Sequence, residues 1–284
     1  MKRSNGQTPG GYPRAKRSYG QNFLIHRPTL ETISQHAAQM DPKLIVELGT
    51  GTGSLTRHLA ARVERVISLE LDPDMVKWLD EQGELPENVE LREADMLKLD
   101  IPGLYRELGH GPLSMVGNLP YNISTQMVFK LVEKADFLKG ALLMFQKEVA
   151  ERIAAPAGSK SYGILSVAAQ YRADVRKLFD IPPTLFSPRP KVTSALVEFR
   201  FGPRPEGLVD EAAFFRVVKA AFSQRRKKLV NTLSAGLGLE KGVIRQAAEA
   251  AGIDPDVRPE RLTVADFIML TSKLLPKVKG DRTR

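Results

Sequence analysis

The stretch Leu44-Ile45-Val46-Glu47-Leu48-Gly49-Thr50-Gly51-Thr52-Gly53 constrains the fold of this chain more than any other. A short apolar run enters three alternating glycines and a helical pattern follows, so the backbone must turn sharply from strand to helix. Glycine is needed where a turn takes φ > 0 or where a ligand approaches the backbone with no Cβ in the way. Further apolar runs then alternate with helical patterns, the signature of an α/β fold with a mainly parallel sheet under helices. Strands are predicted over 44–48, 65–70, 89–92, 113–117 and 141–145. The alternating stretches 165–171 and 194–201 are predicted to pair antiparallel at one sheet edge. Helices are predicted over 27–40, 54–61, 73–82, 124–134 and 147–154. After a Gly/Pro break at 201–207, helical spacing over 210–222, 224–235, 240–250 and 263–275 implies a small all-helical domain. Three parts are therefore expected: a basic flexible tail (1–18), a sheet domain (19–203) and a helical domain with a basic tail (204–284).

The loop reads acid-x-G-x-G-x-G, and Ser54 stands where a nicotinamide fingerprint needs its last glycine. Glu70 ends the second strand, where a carboxylate can accept hydrogen bonds from both hydroxyls of a ribose. In Glu70-Leu71-Asp72-Pro73 it could equally be a helix N-terminal acid. Asp95 follows the third strand, a placement that suits recognition of an exocyclic amino group. Together these residues describe an adenosine bound without a diphosphate cradle, which points to S-adenosylmethionine rather than a dinucleotide. After the fourth strand stands Asn118-Leu119-Pro120-Tyr121. An adenine amino group is a poor nucleophile, and acceptors for its two N–H bonds stabilise the charge that develops on methylation. The Asn118 oxygen and a carbonyl fixed by Pro120 can supply them, and Tyr121 offers a face on which an extruded base can stack. The bland alternative is an Asn-Pro turn with a surface tyrosine.

Composition narrows the classes. With 42% hydrophobic and 26% charged residues the chain is globular rather than disordered. The absence of cysteine excludes disulfides, thiolate metal sites and a cysteine nucleophile. His26, His36, His58 and His110 show no metal-ligand spacing, so no metal is expected. No apolar run approaches the ~18 residues of a membrane span. The first eighteen residues lack the apolar core of a secretory signal, so a cytoplasmic protein is expected. The net charge of +9 comes from the tails, residues 1–18 contributing +5 and 271–284 contributing +4, and the remainder sums to zero. Within the folded part, Arg225-Arg226-Lys227-Lys228 is predicted to open a helix, and a phosphate-rich partner would relieve its repulsion. Arg152 and Lys191 are weaker candidates for the same partner.

From Tyr19 to about Leu275 the chain closely resembles the ribosomal RNA adenine N6,N6-dimethyltransferases. The motifs that carry the resemblance are QNFL at 21–24, Glu47 to Gly53, Glu70, Asp95 and Asn118 to Tyr121. They continue as FQKEVAER at 145–152, SYGILSV at 161–167, FSPRPKVTS at 186–194 and FSQRRK at 222–227. The resemblance implies a Rossmann-like class I methyltransferase sheet with an added small helical C-terminal domain that recognises rRNA. It implies that Asn22 and Leu24 lie over the methionine end of S-adenosylmethionine, that Gly49 and Gly51 form its loop, and that Glu70 holds its ribose and Asp95 its adenine. Asn118 would be the chief catalytic residue, within the Asn118-Leu119-Pro120-Tyr121 motif. Tyr121 would stack on the target base, and Phe186 would form the opposite aromatic wall, its alternative being core packing. Many relatives have Gly-Pro-Gly where this chain has Gly49-Thr50-Gly51. The implied reaction is dimethylation of two adjacent adenosines in the 3′-terminal hairpin loop of small-subunit (16S) rRNA, by a monomer acting on a pre-30S-like particle. Three rivals share features with it, of which DNA adenine methyltransferases fit least because their target-recognition domains look different. Macrolide-resistance methyltransferases act on large-subunit RNA but usually carry Asn-Ile-Pro-Tyr, and an assembly factor would bind the particle with methylation secondary.

Overall fold

A computed structural model describes residues 13–16, 19–83, 85–109, 111–207, 210–224 and 226–278, and of residues 276–278 only the helical backbone. Arg225, His110 and the tail residues 1–12, 17, 18 and 279–284 lie outside the described residues. In chain order the elements begin with β1 (Phe23–Leu24), α1 (Arg27–Met40), β2 (Leu44–Leu48), α2 (Ser54–Ala60), β3 (Arg65–Glu70), α3 (Pro73–Gln82) and β4 (Val89–Glu93). Then come α4 (Ile101–Leu108), β5 (Leu113–Asn118), α5 (Ser124–Glu133), β6 (Leu138–Gln146), α6 (Lys147–Ile153) and α7 (Ile164–Gln170). Finally there are β7 (Ala173–Ile181), β8 (Phe186–Ser187), β9 (Ser194–Phe201), α8 (Glu211–Ala221), α9 (Leu229–Leu237), α10 (Lys241–Ala250) and α11 (Val264–Val278).

Seven strands form one sheet in the order β4-β3-β2-β5-β6-β9-β7, with β2, β3, β4, β5 and β6 paired in parallel and β9 antiparallel to β6. Every residue of β2 is buried, including Glu47, because helices cover both faces of a parallel sheet. On α1, Leu30, Ile33, Ser34 and Ala37 face the core at helical spacing, and Pro28 sits in the first turn, where its missing N–H costs nothing. The chain order reverses between β2 and β5. Their carboxyl ends, Leu48 beside Gly117, open the crevice where an α/β sheet binds its ligand. Gly117 is essential there, since a Cβ would lie 2.6 Å from the Leu48 carbonyl oxygen.

The chain divides into two compact units. One holds the residues up to Ala150 together with Asp174–Gly202, and the other holds Glu151–Ala173 together with the chain from Pro203 onward. The helical unit therefore claims a segment expected within the continuous 19–203 domain. In that segment the structure differs from the sequence pattern, for the stretch predicted as a strand over 165–171 forms α7. Five of its residues, Leu165 to Ala169, are buried, so the apolar pattern has no clear period. Its alanines favour helix, Ser166 Oγ accepts the Gly163 N–H (3.0 Å), and Gln170 Nε2 donates to the carbonyls of Ile153 and Ala155. Beyond α7, Tyr171 packs its ring 4.9 Å from that of Phe214. The strand beside β9 is instead β7, whose charged, half-exposed sequence hides its alternation. The Pro102-Gly103 pair likewise conceals α4.

The basic cluster does not open a helix. Helix α9 begins at Leu229, Lys228 is its extended N-cap, and Arg226 takes a left-handed φ of 66°. Cations oppose the helix dipole at an N-terminus, so the helix starts after them. Lys228 Nζ lies 3.4 Å from Asp256, whereas Arg226 and Lys227 are exposed.

Candidate active site

A cavity of about 250 Å³ lies at the carboxyl ends of β2, β3, β4 and β5. Ten residues singled out from sequence line it: Asn22, Leu24, Gly49, Gly51, Glu70, Asp95, Asn118, Leu119, Pro120 and Tyr121. Phe186 does not. It is 2% exposed and packs in the core with Leu24, Leu30 and Ile33, paired across β1–β8 with Leu24, so the structure corrects its expected place as an aromatic wall. Met96, Leu97 and Met144 line the cavity without having been foreseen. Met144 pairs with Asn118 across β5 and β6, a register that only strand pairing reveals.

The glycine loop is built on backbone bonds. The N–H groups of Gly49 and Thr50 both donate to the Leu69 carbonyl, and Gly49, Gly51 and Gly53 all have positive φ. Thr50 also hydrogen-bonds Ser68 through its hydroxyl (2.7 Å), so the residue replacing proline makes two bonds that proline lacks. Behind the loop, Glu47 Oε2 accepts from the hydroxyls of Ser68 (2.5 Å) and Thr56 (2.6 Å). Its Oε1 has no hydrogen-bond partner among the described residues. Burial pushes the Glu47 carboxyl up to about 7, against the lowering effect of the two hydroxyls. An acid raised above its ordinary value of 4.5 binds more protons folded than unfolded. Its contribution to stability is complete below the ordinary value and is lost as pH rises through about 7. Glu47→Gln, permanently neutral, is expected to flatten this fall in denaturant melts taken across that window. A profile identical to the parent's contradicts the assignment.

Glu70 Oε2 accepts the Gly51 N–H (2.7 Å), and its Oε1 accepts those of Leu71 and Asp72 (both 2.9 Å). Burial raises the Glu70 carboxyl and these N–H groups pull it back down. Asp95 Oδ1 accepts the Leu97 N–H (2.9 Å), which fixes the turn after β4. At the other side, Asn118 Nδ2 donates to the Asn22 carbonyl (2.7 Å), so the acceptor oxygen is the half of the amide left for a ligand. The Tyr121 hydroxyl bonds Ser194 Oγ (2.7 Å), and burial raises it further above neutral pH, so it stays a phenol.

No lysine or arginine is among the lining residues, and Glu70 and Asp95 would repel a phosphate. Acceptors for hydroxyl and amino groups, set among Leu24, Met96 and Leu97, fit a nucleoside with no phosphate. Among the described residues there is no cluster of His, Cys, Asp or Glu that could hold a metal ion, and no helix long and apolar enough to cross a membrane.

The sheet order and the acid-bearing glycine loop at its switch point define a class I methyltransferase domain. Residues 13–274 match the family described as "Ribosomal RNA adenine dimethylase". The chain is 44% identical over 267 residues to "Ribosomal RNA small subunit methyltransferase A" of Desulfitobacterium hafniense (strain DSM 10664 / DCB-2), covering 93% of this chain and 94% of that one. To the protein of the same name from Anaeromyxobacter sp. (strain K) it is 41% identical, covering 92% and 94%. The crystal structure of the 23S rRNA methyltransferase ErmE superposes with a TM-score of 0.68 at 27% identity, covering 89% of this chain and 99% of that one. This chain belongs to the ribosomal RNA adenine dimethylase family.

Proposed function

We propose that the cavity binds S-adenosylmethionine and that the chain dimethylates N6 of two adjacent adenosines in the 3′-terminal hairpin loop of small-subunit rRNA. The observation that carries this reading is the Asn118 amide, whose donor half is held by the Asn22 carbonyl in a cavity that Glu70 and Asp95 also line. Glu70 would hold the ribose hydroxyls, Asp95 the adenine amino group, and Asn22, Leu24, Gly49 and Gly51 the remaining wall. When bound, the cofactor supplies a methyl group on an electrophilic sulfonium. The chain does the rest by positioning. Asn118 Oδ1 and the carbonyl before Pro120 accept the two N–H bonds of the target amine, which favours a tetrahedral nitrogen and stabilises its developing charge. Tyr121, its hydroxyl fastened to Ser194, holds a ring face for the extruded base. No strong base is required, because the nitrogen becomes acidic as it is alkylated.

Arg226 and Lys227, exposed in the turn before α9, are the contacts proposed for rRNA phosphates. Arg225 belongs to the same proposal by sequence, and Lys228 is a weaker member because Asp256 offsets its charge. Arg152 and Lys191 are exposed and could serve the same backbone. The helical unit is accordingly proposed to recognise rRNA in a pre-30S-like particle in the cytoplasm, with the protein acting as a monomer.

Glu70→Ala is expected to weaken binding of S-adenosylhomocysteine by about tenfold or more, since it removes a charged acceptor. Calorimetric titration checks this, and parental affinity contradicts the ribose assignment. The function itself is tested by supplying methyl-labelled S-adenosylmethionine with unmethylated small subunits. Label in the small-subunit RNA supports it, whereas label in large-subunit RNA alone overturns it.

A further inference from the structure

Lys16 falls in the basic stretch expected as a flexible tail, yet the structure fastens it. Its Nζ donates to Asp72 Oδ1 (2.5 Å) and Asp74 Oδ2 (2.6 Å), and these carboxylates raise the ammonium above its ordinary value. The Lys16 N–H donates to Gln21 Oε1 (2.8 Å), and Gln21 Nε2 donates in turn to Asp72 Oδ2 (3.0 Å). Asp72 caps α3 by accepting the Asp74 N–H on Oδ1 (3.1 Å). A cap uses one carboxylate oxygen and is ordinarily open to water. The Asp72 side chain instead has 0% exposure, and an ionised acid with no access to solvent needs a counter-charge, which Lys16 supplies.

Two partners of Asp72, Gln21 and Glu70, line the cavity. Gln21 is one of residues 19–24, all of which line it. The Asp72 N–H donates to Glu70 Oε1, so the ion pair adjoins the acid proposed for the ribose. One residue further along the same wall, the Asn22 carbonyl receives the Asn118 amide. The wall is thus tied to the turn after β3 on one side and to the Asn118 motif on the other.

We infer that Lys16 and Asp72 are positioning residues, whose ion pair fastens residues 19–24 across the cavity and thereby sets both cofactor affinity and the orientation of the Asn118 amide. This rests on the S-adenosylmethionine reading. Lys16→Met removes the charge at a partly exposed site, and Lys16→Arg retains it. Calorimetric titration with S-adenosylhomocysteine is expected to show about tenfold weaker binding for Lys16→Met, with most of the affinity recovered in Lys16→Arg. Hydrogen exchange should show the backbone amides of residues 21–24 losing protection in Lys16→Met and keeping it in Lys16→Arg. Parental affinity together with parental protection in Lys16→Met overturns the inference. If the parent protein itself fails to bind S-adenosylhomocysteine, the cofactor reading falls, and the exchange data alone then decide whether Lys16 orders the wall.

Discussion

Asn118→Ala is expected to lower the rate of methyl transfer by at least about 100-fold, or ~2.7 kcal/mol of barrier, the scale of losing one transition-state hydrogen-bond partner. The substitution removes the acceptor oxygen on which the proposed activation of the amine depends. It also removes the Nδ2–H that the Asn22 carbonyl accepts at 2.7 Å, freeing the neighbouring wall. The two losses separate by measurement. Single-turnover transfer at saturating cofactor reads the first, and titration with S-adenosylhomocysteine reads the second. A large fall in rate with a smaller change in affinity is the expected pattern. Near-parental turnover would remove Asn118 from the chemistry.

Gly51→Ala is expected to destabilise the protein by about 3 kcal/mol through two terms that add. At φ 54° an L side chain pays the left-handed penalty of about 1–2 kcal/mol. The new Cβ would also stand 2.9 Å from Phe23 Cδ1 and 3.0 Å from its Cε1. Phe23 is 7% exposed and packs with Met75 and Leu79, so it has little room to retreat. Any backbone shift would also pull the Gly51 N–H from Glu70 Oε2, so cofactor affinity should fall together with stability. Gly83→Ala provides the control, because Gly83 has φ 60° and nothing within 4 Å of its added Cβ. Thermal melts should rank Gly51→Ala below Gly83→Ala, and equal melting points would show that the contact with Phe23 is unimportant.

What the sequence disclosed depended on whether local pattern or long-range packing decides the structure. The strands at Leu44–Leu48 and Arg65–Glu70 and the helices at Arg27–Met40 and Pro73–Gln82 have the predicted bounds, because apolar runs, prolines and a terminal glycine mark them locally. The ten cavity residues named from sequence lie at strand ends or in the adjoining glycine loop and QNFL segment, where chain direction and motif order already place them. Helix α7 shows no helical period in sequence because it is buried nearly all round and carries no polar stripe. Phe186 carries nothing local that separates a core ring from a ring against a ligand, and its partner Leu24 is distant in sequence. Lys16 looked like one more tail charge, since Asp72, which accounts for its position, lies 56 residues away. The run of cations before Leu229 reads as part of a helix by spacing alone, whereas the helix dipole disfavours cations at an N-terminus and α9 begins after them.

The most direct test of the proposed activity uses small subunits from cells that lack their own adenine dimethyltransferase. These are incubated with this protein and methyl-labelled S-adenosylmethionine, and the modified nucleosides are mapped by mass spectrometry. Dimethyladenosine at two adjacent positions of the 3′-terminal hairpin, absent when Asn118→Ala replaces the parent protein, is the expected result. Tight binding to the particle with no methylated adenosine, or modification confined to large-subunit RNA, would contradict it.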